Sequence, residues 1–371
     1  MVSEPGAPGK EGSGKKKFGK SLFFALLAGL AINAFLGIIV DFGELKAAFS
    51  KASILTLLFP FAAILLVYFI DSFRYRYVFY KYKIRISFRD ALYNNILGFF
   101  FAALTPSSAG GQPFQVIHFS RLGIDSAVAS NVVFSRLIEG NFVQLIIAAL
   151  FFHKGIGMMS GLGKGSYLLI AGMLATVAIT VVLTLSLLNP HLLGVLALKL
   201  ENSRVGRLIA KLVKDPSWAE KLSVWSQSLG EGFKVLWKHN TQTIVIDILA
   251  TGLTQTIWAL SLYVPITRLT GAAPPFQEFL LSYCLCGLVA LFIPTPGGSG
   301  GVEASYVLVL SALTGKPAAT MSAILLWRFG TYYLQLLLGV AVYMAVKVPR
   351  DVYAKDSAGL ARRIRARPVR A

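Results

Sequence analysis

The sequence predicts an all-α integral membrane protein of about six transmembrane helices and two re-entrant helical hairpins, arranged as an inverted-topology repeat. Three observations lead there. Of 371 residues, 55% are hydrophobic and only 14% charged, with a mean hydropathy of +0.65; a soluble domain carries about 25% charge. Two apolar stretches are interrupted by the related motifs Thr105-Pro106-Ser107-Ser108-Ala109-Gly110-Gly111 and Thr295-Pro296-Gly297-Gly298-Ser299-Gly300-Gly301, where proline and clustered glycine break helices. The echo continues downstream, Arg136 following Gly123 and Arg328 following Gly315 at the same 13-residue spacing, which marks an internal duplication.

Residues 1–20 are polar and rich in Gly, Ser and Lys, and read as a disordered cytosolic tail. The first repeat is expected over 21–152. It opens with an uncleaved span at 21–40, too long for a signal-peptide core. A second span at about 53–70 leads to a basic, aromatic loop over 72–90 that suits a membrane interface. Residues 91–104 reach only about 21 Å as a helix, short of a hydrocarbon core of about 30 Å. With the glycine break and the short limb after it, they predict a re-entrant hairpin over about 91–120. A full span over 126–152 closes the repeat.

The second repeat is expected over 166–346. Its first span, 166–188, is followed by an insertion at 190–240. There Val205, Leu208, Ile209, Leu212 and Val213 keep helical spacing among Arg204, Arg207, Lys211 and Lys214, as in a basic amphipathic helix on the membrane surface. A span at about 243–267, a hairpin at about 279–313 and a span at about 318–346 follow, then a basic cytosolic tail at 347–371.

Lys and Arg placement sets the topology. With the N-terminus inside, 28 of the 36 fall in inner segments, 6 in outer segments, and Arg136 and Arg328 within spans. Both termini are then cytosolic, in the cell membrane, and the net charge of +19 points to anionic lipid headgroups rather than nucleic acid. The first hairpin enters from the cytosol and the second from outside. Inverted repeats with broken helices are a transporter architecture, with a site near the midplane.

The chemistry is expected there. Arg136 and Arg328 each lie about 15 Å into their spans, a costly depth for charge. Each hairpin's returning limb starts at a glycine pair, Gly110–Gly111 or Gly300–Gly301, with Thr105, Thr295 and Gln112 in the same motifs. Helix N-termini and arginine both suit phosphate, so the expected ligand is an anion. The alternatives are structural: ion pairs Arg136–Glu139 and Arg328–Glu303, and glycines that only allow tight packing. Glu303, in the first turn of its limb, reads as a cap, an arginine partner or a proton carrier. Asp247 reads as interfacial. No catalytic constellation, metal site or cofactor motif is evident. Cys284, Cys286 and four scattered histidines read as packing residues.

Thr105 to Gln112, Arg121-Leu122-Gly123, the Arg136 span, Pro294 to Glu303 and Arg328 resemble the family built on the transmembrane region of lysylphosphatidylglycerol synthase, the flippase-like domain family, over roughly residues 20–346. The family's first motif often ends in Gly-Glu; here Gln112 stands in that place. The resemblance implies lipid translocation without the soluble aminoacyltransferase domain, hence no enzyme activity. Its implied substrate is a phospholipid or polyprenyl-phosphate headgroup. A membrane-embedded enzyme acting on a lipid-linked sugar, with Glu303 as its carboxylate, and a small organic anion transporter are the alternatives. The expected partners are membrane lipids, anionic ones in particular; the sequence is also compatible with an oligomer.

Overall fold

The computed structural model describes residues 50, 52–105, 107–108, 110–150, 241–290, 293, 295–346 and 351–354, and scattered positions between 167 and 223. The expected first span, most of the 166–188 span and 190–240 insertion, the N-terminal tail and the basic C-terminal tail apart from 351–354 lie outside the described residues.

Among the described residues the long segments are all helical. They are α1 (Ile54–Lys81), α2 (Phe88–Leu104), α3 (Gly111–Arg121), α4 (Ser126–Leu150), α5 (Thr241–Thr270), α6 (Phe276–Ala290), α7 (Gly301–Thr314), α8 (Pro317–Arg328) and α9 (Leu334–Ala345). A π-helical turn, Phe329–Tyr333, joins α8 to α9. By length and composition α1, α4, α5 and the continuous rod from α8 to α9 can each cross a membrane, so the chain is a multi-pass membrane protein. Large apolar side chains such as Leu55, Leu66, Phe69 and Leu249 face outward, where lipid replaces water as the surrounding medium.

Helix α1 begins where Ser53 Oγ accepts the Thr56 N–H at 3.2 Å. It does not stop at Ile70. The expected basic loop is helical as far as Lys81, because Tyr75, Val78 and Phe79 keep helical spacing and pack with Phe119, Leu122 and Val128. Arg74 is thereby carried inward and is 8% exposed.

The two expected hairpins are present as paired short helices. Helices α2 and α3 have 17 and 11 residues, α6 and α7 have 15 and 14; each is too short to cross about 30 Å of hydrocarbon. In the first, Phe101 stacks on Phe114 with centroids 4.3 Å apart. Gly111 lets the limbs approach, since a Cβ there would lie 2.9 Å from the Ala102 Cβ. In the second, Tyr283 and Tyr306 from the two limbs meet at a tilt, and Trp327 of α8 packs on both in T-shaped contacts.

The packing partners of the two halves match. Helices α1 and α5 pack on each other; α1 supports α2 as α5 supports α6, and α3 lies on α4 as α7 lies on α8. The last helix of each half crosses to the other half's hairpin, α9 to α2 and α4 to α6. Beyond α9, the chain docks on the base of the first hairpin. Asp351 N–H and Tyr353 N–H donate to the Arg121 and Leu122 carbonyls at 3.0 and 2.7 Å, and Tyr353 Oη donates to Asp90 at 2.5 Å. Burial and that hydrogen bond hold the Tyr353 phenol above its ordinary pKa. The base of the second hairpin instead abuts the start of α8, where the Thr314 and Thr320 hydroxyls lie 2.7 Å apart and Lys316 Nζ donates to the carbonyl of Thr270, the last residue of α5, at 2.7 Å.

The hairpin tips touch. Ser107 Oγ donates to the Ile293 carbonyl at 3.3 Å. Tyr332, on the π turn, donates to the Ala103 carbonyl at 3.4 Å and covers Gly297. Gly297 has φ +59°, and a Cβ added there would collide with the Tyr332 ring. Gly297→Ala is therefore expected to destabilise the fold by about 1–3 kcal/mol, seen as a lower thermal midpoint in detergent; an unchanged midpoint would show that the tips are not tightly fitted.

Candidate functional site

Two buried ionic centres lie beneath the hairpin tips, and they are built differently. The first joins three long helices. Arg74 on α1 holds Asp71 one turn back at 2.8 Å and Asp247 on α5 at 2.5 Å, and it also bonds Thr251. Arg136 on α4 reaches the same Asp71 at 2.5 Å and lies 4.0 Å over the Tyr75 ring. Glu139, one turn along α4, is 1% exposed. Its nearest cation among the described residues is Arg74, at 3.6 Å; no N–H or hydroxyl donates to its oxygens, and the Asp247 carboxyl lies beside it.

Two expectations are corrected here. Arg136 does not pair with Glu139 at i,i+3; it turns to Asp71, because α1 packs where the Arg136 side chain emerges and Tyr75 gives the guanidinium a face to lie on. Asp247 is not interfacial; at 2% exposure it is a buried partner of Arg74. Sequence reasoning missed Asp71, Arg74 and Tyr75 as site residues. The available signal was the Asp71–Arg74 i,i+3 spacing in a segment whose aromatic residues continue the helical period of α1.

This centre opens into a polar cleft of about 200 Å³ between the first hairpin and α1, α4 and α5. Asp71, Arg74, Arg136, Gln112, Gln115 and Gln255 supply its polar lining, with Phe99 and Trp258 as apolar wall. The Arg136 Nε–H is buried without a partner, so it remains a donor for a ligand. Gln112 is therefore placed with Arg136, while Glu139 lies behind Arg74.

The second centre is closed. Glu303 is fully buried. One oxygen accepts the Gly300 N–H at 2.7 Å, and the other accepts from Arg328 Nε at 2.7 Å. Glu303 is thus both a helix cap and an arginine partner. Arg328 also donates to the Gly297 carbonyl at 3.0 Å and to Ser299 Oγ at 3.3 Å, and lies 4.7 Å over the Tyr332 ring. Arg328 is not among the residues lining the cleft, so the two arginines do not share this cleft. The π turn begins one residue after Arg328, a feature common at functional sites.

The hairpin turns use most of their own donors. Gly110 N–H donates to Thr105 Oγ1 at 2.8 Å, and Gly111 N–H to the Ser108 carbonyl at 3.5 Å. Thr295 Oγ1 donates to the Ser299 carbonyl at 2.8 Å. Gly301 gives room for Ile293, whose side chain would lie 2.6 Å from an added Cβ. In this state the two threonines staple their turns, and the glycine N–H groups of the first turn point inward rather than into the cleft. Among the described residues no group of three His, Cys, Asp or Glu is arranged to hold a metal ion.

Comparison with known proteins adds the following. The family model described as the lysylphosphatidylglycerol synthase transmembrane region matches residues 26–339. A UPF0104 membrane protein of Archaeoglobus fulgidus is 24% identical over 267 residues, which cover 69% of this chain and 75% of that protein.

Proposed function

The chain belongs to the family of the lysylphosphatidylglycerol synthase transmembrane region, and from that premise we propose that it moves an anionic lipid headgroup between leaflets. The observation that carries this reading is the cleft at Arg136. It is a polar volume of about 200 Å³ among helices long enough to span a bilayer, lined by two guanidinium groups and by amides. A phosphate entering it would meet the free Arg136 Nε–H and the Gln112 and Gln115 side chains, while acyl or prenyl tails stay in lipid. Arginine suits phosphate because its donors are fixed in a planar fork.

Arg328 then acts as a positioning residue. It ties the second hairpin turn to the π turn, and through Tyr332 to the first hairpin. The two halves read as inverted repeats. The first hairpin's base meets the chain that follows α9, and the second's meets the start of α8, at opposite ends of one spanning rod. Lys and Arg placement supports a cell-membrane location with both termini cytosolic. Glu303 is buried, capped and ion-paired, so nothing favours it as the carboxylate of a lipid-linked-sugar enzyme.

The test is headgroup translocation by the purified chain in proteoliposomes, comparing fluorescent phosphatidylglycerol, phosphatidylcholine and a polyprenyl phosphate. Faster movement of an anionic lipid than of phosphatidylcholine is expected. Equal, protein-independent rates for all three would reject the reading.

A further inference from the structure

The first ionic centre holds an uneven set of charges. Asp71, Glu139 and Asp247 face Arg74 and Arg136, three carboxylates against two guanidiniums. Both guanidiniums are already held by Asp71 and Asp247 at 2.5–2.8 Å. Glu139 is left over, 1% exposed, with no N–H or hydroxyl donor to either oxygen and the Asp247 carboxyl beside it, close enough to share a proton. The charged groups acting on it are Asp247 from α5, Arg74 from α1 and Arg136 on its own helix. An ionised carboxylate there is a surplus buried charge whose one close cation is Arg74 at 3.6 Å; without that contact its burial is too costly to persist in a low-dielectric interior. A proton removes the charge.

We propose that Glu139 is a proton-binding site, and that its protonation is coupled to capture of the anionic headgroup by Arg74 and Arg136. This rests on the translocation reading above for the identity of the anion. An anion in the cleft competes with the carboxylates for the two guanidiniums, because Arg74 and Arg136 line it. As Arg74 turns toward the anion, Glu139 loses its nearest cation and takes a proton from water. Coupling is reciprocal, so protonation of Glu139 also strengthens anion binding. One proton then travels with one headgroup charge, and a pH gradient can drive movement. Glu303, the carboxylate that the sequence singled out for this task, has both oxygens engaged and no vacancy to fill.

The primary test is infrared difference spectroscopy, acid minus alkaline, on the full chain in phosphatidylcholine bilayers with and without phosphatidylglycerol. A protonated-carboxyl carbonyl band is expected that grows with phosphatidylglycerol, is absent in Glu139→Gln and survives Glu303→Gln. Should Glu139→Gln fail to fold, Asp247→Asn serves. With one carboxylate fewer, Arg74 pairs with Glu139, so without phosphatidylglycerol the band is expected to vanish there too. A band that persists in these variants, or that ignores phosphatidylglycerol, overturns the proposal.

Translocation of fluorescent phosphatidylglycerol separates the two readings. The wild-type rate should fall about tenfold per pH unit on the alkaline side, as for one titrating proton, and Glu139→Gln should flatten that profile. A variant that keeps the slope refutes proton coupling and leaves translocation standing. A lipid-dependent band without any lipid movement refutes translocation and leaves the proton site standing.

Discussion

Arg136→Ala is expected to slow anionic-headgroup translocation at least about tenfold while the protein remains folded. A hydrogen bond to a charged group contributes about 1.5–3 kcal/mol, and every 1.4 kcal/mol is about tenfold. Losing even one such bond to phosphate gives that factor; losing two gives about a hundredfold or more. Asp71 keeps its bond to Arg74 at 2.8 Å and borders the cleft, where water can reach it, so the loss of stability is expected to be smaller than at Arg328. Arg136→Lys should be defective too, since an ammonium lacks the planar fork and the face that lies on Tyr75. The measurement is the proteoliposome rate, with size-exclusion elution and thermal midpoint as folding controls. A folded Arg136→Ala protein with the wild-type rate would remove the cleft from the mechanism.

Arg328→Ala is expected to fail differently, by loss of stability. Arg328 holds Glu303 at 2.7 Å, and both are buried. Removing one partner of a buried pair costs about 3–5 kcal/mol, because the other charge is left uncompensated. The Gly297 carbonyl and Ser299 would also lose their donor. A large drop in thermal midpoint in detergent is expected. Adding Glu303→Gln should restore part of it, since glutamine can still accept the Gly300 N–H and carries no charge. An Arg328→Ala protein with a wild-type midpoint and no transport would make Arg328 a substrate group after all.

The contrast between these arginines was not visible in their spacing. Both follow a hairpin and a glycine at the same interval, and the symmetry invited one role for both. The first centre draws carboxylates from three helices and leaves a cleft beside them. The second is satisfied by a single turn and its cap. The difference traces to the returning limbs. Glu303 stands in the first turn of α7, whereas Pro113, in the first turn of α3, cannot hold an arginine. Arg136 had to find its partner elsewhere.

The membrane class, the all-helical fold, the pairs of short helices around each glycine motif and the family were legible in the sequence. These depend on properties that add up along the chain: apolar length, helix-breaking residues and short motifs. Helix α1 runs past the expected end of its span because the tertiary contacts of Tyr75 and Phe79 keep the helix going through the basic residues of 72–81. The choice of ionic partners was not legible in the sequence, because it follows from how the helices pack. Asp71 and Arg136 are 65 residues apart, Arg74 and Asp247 173, and no local pattern relates them. A buried charge takes whichever opposite charge the packing of α1, α4 and α5 brings within reach, and that packing is a property of three helices together.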